Sequence, residues 1–320
     1  MEKKIKVVVV GGGNGSAITL QALKKYANNL DISAVIGTAD SNGSSGRLRR
    51  EFNVIPTGDI LRAILSLSPI DYVVLRKIFY EVRFSAGGAL KKHNLGNLFL
   101  TLGGQYSKNI LNAIMALSES VGALGRVIPA TLKPVDLAVQ LDNGRVVKGE
   151  GNIDIPNYDR RFKIARALPS SGIANQDATR ALLDADYIIF GPGSLYTSVI
   201  APLMVKGIFN AVKQSRARLV FLLTNYNLIH GETGPSDLSD IIAHLEQHLP
   251  RPLDKIIFNS HIPGKVEAKS VKANGWYLIK CDDKNLSVYR GRLKFYDFGK
   301  KIWPGYDTER LGKYLRKIII

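Results

Sequence analysis

The chain has a single cysteine, Cys281, in 320 residues. One cysteine excludes an internal disulfide and any cysteine-built zinc site. It is expected to behave as a small apolar side chain and not as a nucleophile. Long apolar runs are also missing. Lys6–Val10 and Tyr187–Phe190 are too short to span a bilayer. No signal-peptide-like region precedes the first apolar run, so a cytoplasmic location is expected. No internal repeat of solenoid length occurs. No Ser/His/Asp or Cys/His set suggests a catalytic nucleophile, and His93 has no partner at metal-ligand spacing. Acidic residues are few: 27 Asp and Glu against 44 Lys and Arg, a net charge of +17. Such a field attracts anions. The basic residues are dispersed, however, apart from Arg47-Leu48-Arg49-Arg50 and the stretch from Arg290 to Lys317. No recognition helix or aromatic RNA motif accompanies them, which argues against nucleic acid.

What the chain does have is Val7-Val8-Val9-Val10-Gly11-Gly12-Gly13-Asn14-Gly15-Ser16. Four β-branched residues in a row suit a parallel strand covered on both faces. The glycines allow a sharp turn, and a helix from about Ser16 to Tyr26 would open with free N–H groups that favour a phosphate. The pattern lacks the third glycine of the dinucleotide fingerprint and the Lys-Ser/Thr pair of a Walker loop. A tight strand-to-helix turn without ligand is the plainer alternative. Ile5–Val10, the helix and Asp31–Gly37 make one βαβ unit. Asp40 then closes the second strand, where an acid often bonds a ribose hydroxyl.

Asp40-Ser41-Asn42-Gly43-Ser44-Ser45-Gly46-Arg47 reads as a polar loop whose hydroxyls, N–H groups and guanidinium suit phosphate oxygens. Asp59 reads as a first-turn acid of a helix over Ile60–Leu67, or as a carboxylate aimed into a pocket. A mostly helical section runs from Asp71 to Val121, with Asn97 as a cap or a ligand contact. Val127–Gly151 reads as antiparallel, with a hairpin at Asp142-Asn143-Gly144, and strands at Ile153–Ile155 and Phe162–Ala167 continue it. The parallel pattern resumes at Tyr187–Phe190, which ends in Gly191-Pro192-Gly193-Ser194-Leu195-Tyr196-Thr197-Ser198. Strands over Arg218–Leu223 and Lys255–Phe258 end in Thr224-Asn225 and Asn259. Five strands thus end in small or amide-bearing loops, and in a parallel sheet those ends share one edge. The fold class expected is α/β: a Rossmann-like, mostly parallel sheet with helices on both faces and a small antiparallel insert. One domain over residues 1–320 is expected, with the antiparallel section near 127–167 and a basic C-terminal extension over 275–320.

These segments, in order from Ile5 to Asn259, resemble the YvcK proteins, called gluconeogenesis factors, and the related CofD 2-phospho-L-lactate transferases. The resemblance rests on Gly11–Gly15, Gly43–Arg49, Gly58-Asp59-Ile60, His93–Asn97, Gly191–Ser198 and Asn225 with Gly231-Glu232-Thr233. It implies a nucleotide or nucleotide-sugar ligand such as UDP-N-acetylglucosamine, with NAD also suited, and links to gluconeogenic growth and cell shape. The transferase relatives move a phospholactyl group from a guanosine-linked donor to a deazaflavin alcohol, with Mg2+. Carried onto this chain, the resemblance gives Asp40 and Asp59 as catalytic candidates. It gives Gly11, Gly12, Gly13, Asn14, Gly15, Ser44, Ser45, Arg47, Asn97, Gly193, Ser194, Thr197, Ser198 and Asn225 as ligand contacts. The family's Asp-Asp-Gly-Gly is Asp40-Ser41-Asn42-Gly43 here, so one carboxylate is missing and binding is better supported than turnover. A small-molecule nucleotide is the expected partner, and homo-oligomerisation is left open.

Overall fold

A computed structural model describes residues 3–85, 87–300 and 305–320. Residues 1–2, ahead of the first strand, and 301–304, within the basic C-terminal stretch, lie outside that description. The first half of the chain runs β1 (Ile5–Gly11), α1 (Gly13–Lys24), β2 (Leu30–Ile36), α2 (Gly43–Phe52), α3 (Gly58–Leu67) and α4 (Tyr72–Arg76). A π-turn over Lys77–Glu81 follows, then α5 (Leu95–Tyr106), α6 (Ile110–Ser120) and β3 (Arg126–Pro129). A small antiparallel sheet contains β4 (Ala138–Leu141), β5 (Val146–Lys148) and β6 (Ile164–Leu168), with α7 (Glu150–Asp154) between the last two.

The second half runs α8 (Gln176–Leu183), β7 (Tyr187–Phe190), α9 (Ile208–Gln214), β8 (Arg218–Leu223), β9 (Tyr226–Leu228), α10 (Leu238–Gln247) and β10 (Lys255–Asn259). It finishes with α11 (Lys265–Ala273), β11 (Trp276–Leu278), α12 (Asp283–Leu286), β12 (Leu293–Tyr296) and α13 (Thr308–Ile319). Among the described residues seven strands form one sheet in the order β12-β10-β8-β7-β1-β2-β3, every neighbour parallel. The architecture is therefore α/β, with a small antiparallel sheet beside it. No described helix is long and apolar enough to cross a membrane.

The valine run explains why β1 is central. Val7 and Val9 pack on one face with side chains of α1, α3 and α13; Val8 and Val10 pack on the other with α8, α9 and α10. A strand covered twice needs a continuous apolar run, and this one is fully buried over Val7–Val10. The chain builds β2 and β3 to one side of β1, then returns to build β7, β8, β10 and β12 to the other. Between β1 and β7 the order reverses, opening a crevice beyond the strands' carboxyl ends.

Several expectations are corrected. Only residues 40–42 of the stretch 40–51 are loop: Gly43–Phe52 is α2, because Gly43, Ser44 and Ser45 form its first turn and Leu48 anchors its inner face. Ile153–Ile155 is not a strand; Glu150–Asp154 is a short helix holding Ile153 in the core. Arg126–Pro129 belongs to the parallel sheet beside β2, not to the antiparallel section. In the C-terminal section β12 is the edge strand of the large sheet and α13 packs on α1, so this section is woven into the fold. Asn94, not Asn97, caps α5, its side chain accepting the Asn97 N–H at 2.8 Å.

Candidate functional site

The loops at the reversal point enclose a cleft of about 660 Å³. Its first wall is made of helix N-termini. Helices α1, α2 and α3 all begin there, and none has a side chain capping its first turn. By contrast α5 and α8 are capped by Asn94 and Asn175. An uncapped first turn leaves N–H groups and a positive dipole end for an anion. Glycine is required where α1 meets the β7 turn. A Cβ on Gly15 would lie 1.9 Å from the Pro192 carbonyl oxygen, and Gly13 has φ of 64°. The Thr19 hydroxyl donates to the Gly191 carbonyl at 3.1 Å and fixes the two elements together.

A buried polar lattice supports this wall. Asn97 donates to Ser45 Oγ at 3.3 Å and accepts from Thr57 Oγ1 at 3.2 Å, joining α5 to the starts of α2 and α3. The Ser44 hydroxyl lies 2.8 Å from His93 Nδ1. Burial, then the nearby Arg47, pulls the His93 pKa down, so the ring is neutral and serves Ser44. At the far end of the cleft, Asn225 Nδ2 donates to the His261 carbonyl at 2.6 Å, and Asn259 Nδ2 donates to Asn225 Oδ1 at 3.3 Å.

The second wall is acidic. Glu150 and Asp154, four residues apart on α7, reach the cleft here with Glu232, while Asp40 and Asp59 bring carboxylates into it from beside α2 and from the first turn of α3. The Glu150 carboxylate accepts the Ser41 N–H at 3.4 Å, and Ser41 Oγ in turn accepts the Gly151 N–H at 3.0 Å. A carboxylate from α7 thus stands beside Ser41. Burial, and then Asp40 and Asp154, push the Glu150 pKa up to about 8. Burial and then Asp59 raise Asp40 to about 6, against the pull of the Asn42 N–H. Burial also raises Asp154, which bonds the Thr197 hydroxyl. Glu232 accepts the backbone N–H groups of Tyr196 and Thr197, the latter at 2.6 Å. Burial raises it to about 7 while those N–H groups pull it back. The guanidinium lining the cleft beside Asp59 is Arg62, 2.5 Å from Asp59 Oδ1; Arg62 also donates to the Tyr80 hydroxyl. Arg83 also lies over the Tyr80 ring, 5.3 Å from its centroid.

Of the sixteen residues expected here from sequence, fourteen line the cleft; Gly11 and Arg47 do not. Arg47 donates to the Lys91 carbonyl at 2.7 Å, and Arg49 pairs with Asp136 at 2.7 Å, so these arginines brace α2. The arginines that line the cleft are Arg62 and Arg83. The Tyr196 and Thr197 N–H groups are not open to a phosphate, because Glu232 fills them. Glu150, Asp154, Arg62 and Arg83 were missed by sequence reasoning. The i, i+4 acids of α7 were a readable signal once that segment is helical, and Arg62 follows Asp59 at i+3. As for Mg2+, no three His, Cys, Asp or Glu side chains among the described residues converge as a metal set. With Asp59 engaged by Arg62, the donor set does not fit a protein-held metal centre.

The comparisons with known proteins meet this geometry. The family model for 2-phospho-L-lactate transferase CofD matches residues 7–293. The chain belongs to the CofD family. Among its relatives it is 34% identical to the gluconeogenesis factor of Bacillus subtilis (strain 168), over 98% of each chain. It is 33% identical to the gluconeogenesis factor of Halalkalibacterium halodurans, over 92% of this chain and 90% of that one. A putative gluconeogenesis factor of a Nostoc species is 39% identical over 75% of this chain, which spans 51% of that longer relative. A crystal structure of a UPF0052 family protein, BH3568 of Bacillus halodurans, superposes with a TM-score of 0.87 at 28% identity, covering 99% of this chain and all of that one. The CofD-family match thus extends well beyond the short motifs at the strand ends.

Proposed function

We propose that this CofD-family chain is a nucleotide-sugar-binding regulator of the gluconeogenesis-factor type, linked to carbon metabolism, cell wall and cell shape. The observation that carries the reading is the pairing of three uncapped helix N-termini with a carboxylate wall across one cleft. Backbone N–H groups suit a pyrophosphate. Carboxylates and amides suit the hydroxyls of ribose and sugar, which need acceptors. Asp40, Glu150 and Asn225 take those hydroxyls, and Trp276 and Tyr306 give the base an aromatic surface. UDP-N-acetylglucosamine fits this division, and NAD shares its pyrophosphate and ribose. Isothermal titration with UDP-N-acetylglucosamine, UDP-glucose and NAD tests the reading. Saturable binding of at least one is expected, with the sugar nucleotides ahead. Absence of binding by all three at millimolar levels overturns it.

A second reading is phospholactyl transfer, the activity in the family's description. It is favoured by Asp40, whose pKa of about 6 leaves it ionised at neutral pH and able to accept a proton from an acceptor hydroxyl. Incubation with a phospholactyl-guanosine donor and a deazaflavin alcohol decides it. No product rules out that activity and leaves the binding reading standing.

A further inference from the structure

His93-Asn94-Leu95-Gly96-Asn97 puts three polar side chains at the entry to α5. Asn94 caps the helix. His93 and Asn97, each only 2% exposed, instead reach across to the first turn of α2. Each meets one hydroxyl there. Ser44 and Ser45 are the second and third residues of α2, and both line the cleft. A serine hydroxyl has one proton and two lone pairs, so its partner inside the protein decides what it offers a ligand. An anion needs the proton.

Asn97 settles the matter for Ser45. The Thr57 hydroxyl donates to Asn97 Oδ1 at 3.2 Å, which turns Asn97 Nδ2 to Ser45 Oγ at 3.3 Å. An amide nitrogen donates and does not accept, so Ser45 accepts and keeps its own proton free. His93 Nδ1, 2.8 Å from Ser44 Oγ, can do either. Burial, the larger cause, and then Arg47 keep the ring neutral, so it has a single N–H to place. With the proton on Nδ1, Ser44 accepts, as Ser45 does. With the proton on Nε2, Ser44 gives its hydrogen to the ring and turns only lone pairs to the cleft. An anion at the start of α2 repels those lone pairs and binds the hydroxyl proton, which selects the Nδ1–H ring. We propose that His93 is a positioning residue that, together with Asn97, commits the adjacent hydroxyls of Ser44 and Ser45 to donate to an anionic group held at the start of α2. The proposal rests on the reading of this cleft as a pyrophosphate site, and it adds that this point selects an anion over a neutral or cationic group. A ring that only braced α2 would serve equally well with Ser44 as the donor.

Calorimetric titration of the full chain with inorganic pyrophosphate tests this. Ser44→Ala is expected to weaken binding at least ~10-fold, as for a lost hydrogen bond to a charged group. His93→Leu is expected to weaken it to the same extent. His93→Asn, whose amide can donate where Nδ1–H did, is expected to recover most of that loss. In a Ser44→Ala background, His93→Leu is expected to bring no further loss. The nitrogen NMR signals of the wild-type imidazoles give a direct reading: with pyrophosphate bound, His93 carries its proton on Nδ1. A proton on Nε2 in that state overturns the proposal, whether or not the variants fold. So does a His93→Leu loss that persists without the Ser44 hydroxyl, which is the mark of a brace. A wild type that binds no pyrophosphate at millimolar levels removes the anion site and this inference with it. Pyrophosphate binding that is indifferent to these substitutions overturns the inference alone.

Discussion

Across the cleft, the wall made by α1, α2 and α3 presents backbone N–H groups, whereas the wall made by α7 and the Glu232 loop presents carboxylates. Both sit in a chain of net charge +17, yet neither wall draws its character from that excess. One offers peptide dipoles that cannot be titrated and that suit an anion. The other offers acids whose burial moves their proton affinity to near-neutral pH. A ligand that is anionic at its middle and hydroxyl-rich at its ends meets both. In the proposed function the bulk charge attracts such a ligand and the two walls select it.

The largest effect is expected from the N–H wall. Gly15→Ala drives a Cβ into the Pro192 carbonyl and separates α1 from the β7 turn. It is expected to cost about 3 kcal/mol of stability and at least ~100-fold in nucleotide affinity, read by thermal unfolding and calorimetry. An unchanged affinity would remove α1 from the site.

Next comes the acid wall, through pH. Burial keeps Glu150 protonated up to about pH 8 in the folded chain, against 4.5 for the free side chain. Between those values the folded state holds a proton that the unfolded state has released. This contribution to stability is complete below the lower value and is lost as pH rises through about 8. Asp40 acts in the same direction from 3.8 to about 6. For a nucleotide ligand, ionisation of Glu150 adds a negative charge to a cleft that already holds an anionic ligand. Affinity is therefore expected to fall ~10-fold from pH 6.5 to pH 9, and Glu150→Gln is expected to flatten both curves. A wild-type profile already flat over that range would show that Glu150 does not face the ligand.

Glu232→Ala sharpens the comparison by converting part of one wall into the other. It frees the Tyr196 and Thr197 N–H groups. Inorganic phosphate is expected to bind a few-fold more tightly, measured by competition against a nucleotide. Weaker phosphate binding would mean that Glu232 chiefly holds the turn in shape. The smallest effect belongs to Arg47→Ala. Its guanidinium bonds the Lys91 carbonyl away from the cleft, so affinity is expected to stay within ~2-fold, as for surface changes. A large loss would return Arg47 to the site.

Much of the large sheet could be read from sequence, for a specific reason. Strands buried on both faces must be apolar throughout, so Val7–Val10, Tyr187–Phe190 and Arg218–Leu223 stand out without knowledge of their neighbours. The loops at their ends follow from chain direction alone, which is why most of the N–H wall was legible. The acid wall was not. α7 is only five residues long and its Ile153 mimics a short strand. α2 hid behind a Gly-Ser composition that is unfavourable in mid-helix but acceptable in a first turn. β3 pairs in the large sheet because of a partner, β2, some ninety residues earlier, and no local pattern encodes that. Arg47 stood out because it follows a Gly-Ser-rich stretch, while Arg62, one helical turn beyond Asp59, carries no such signal.

The packing of α13 on α1 bears on how the molecule is made. Gly312 sits so close that a Cβ there would lie 2.8 Å from the Ala22 carbonyl oxygen. The helix whose uncapped N-terminus lines the cleft is thus clamped by a segment nearly 300 residues further along the chain. Contacts so distant in sequence form late and slowly. Until that clamp forms, the glycine turn and most of the sheet can be in place while α1 is held on its other sides only. For the proposed nucleotide site, closure of α13 over α1 is then a late step of assembly, and a ligand in the folding buffer would act on it.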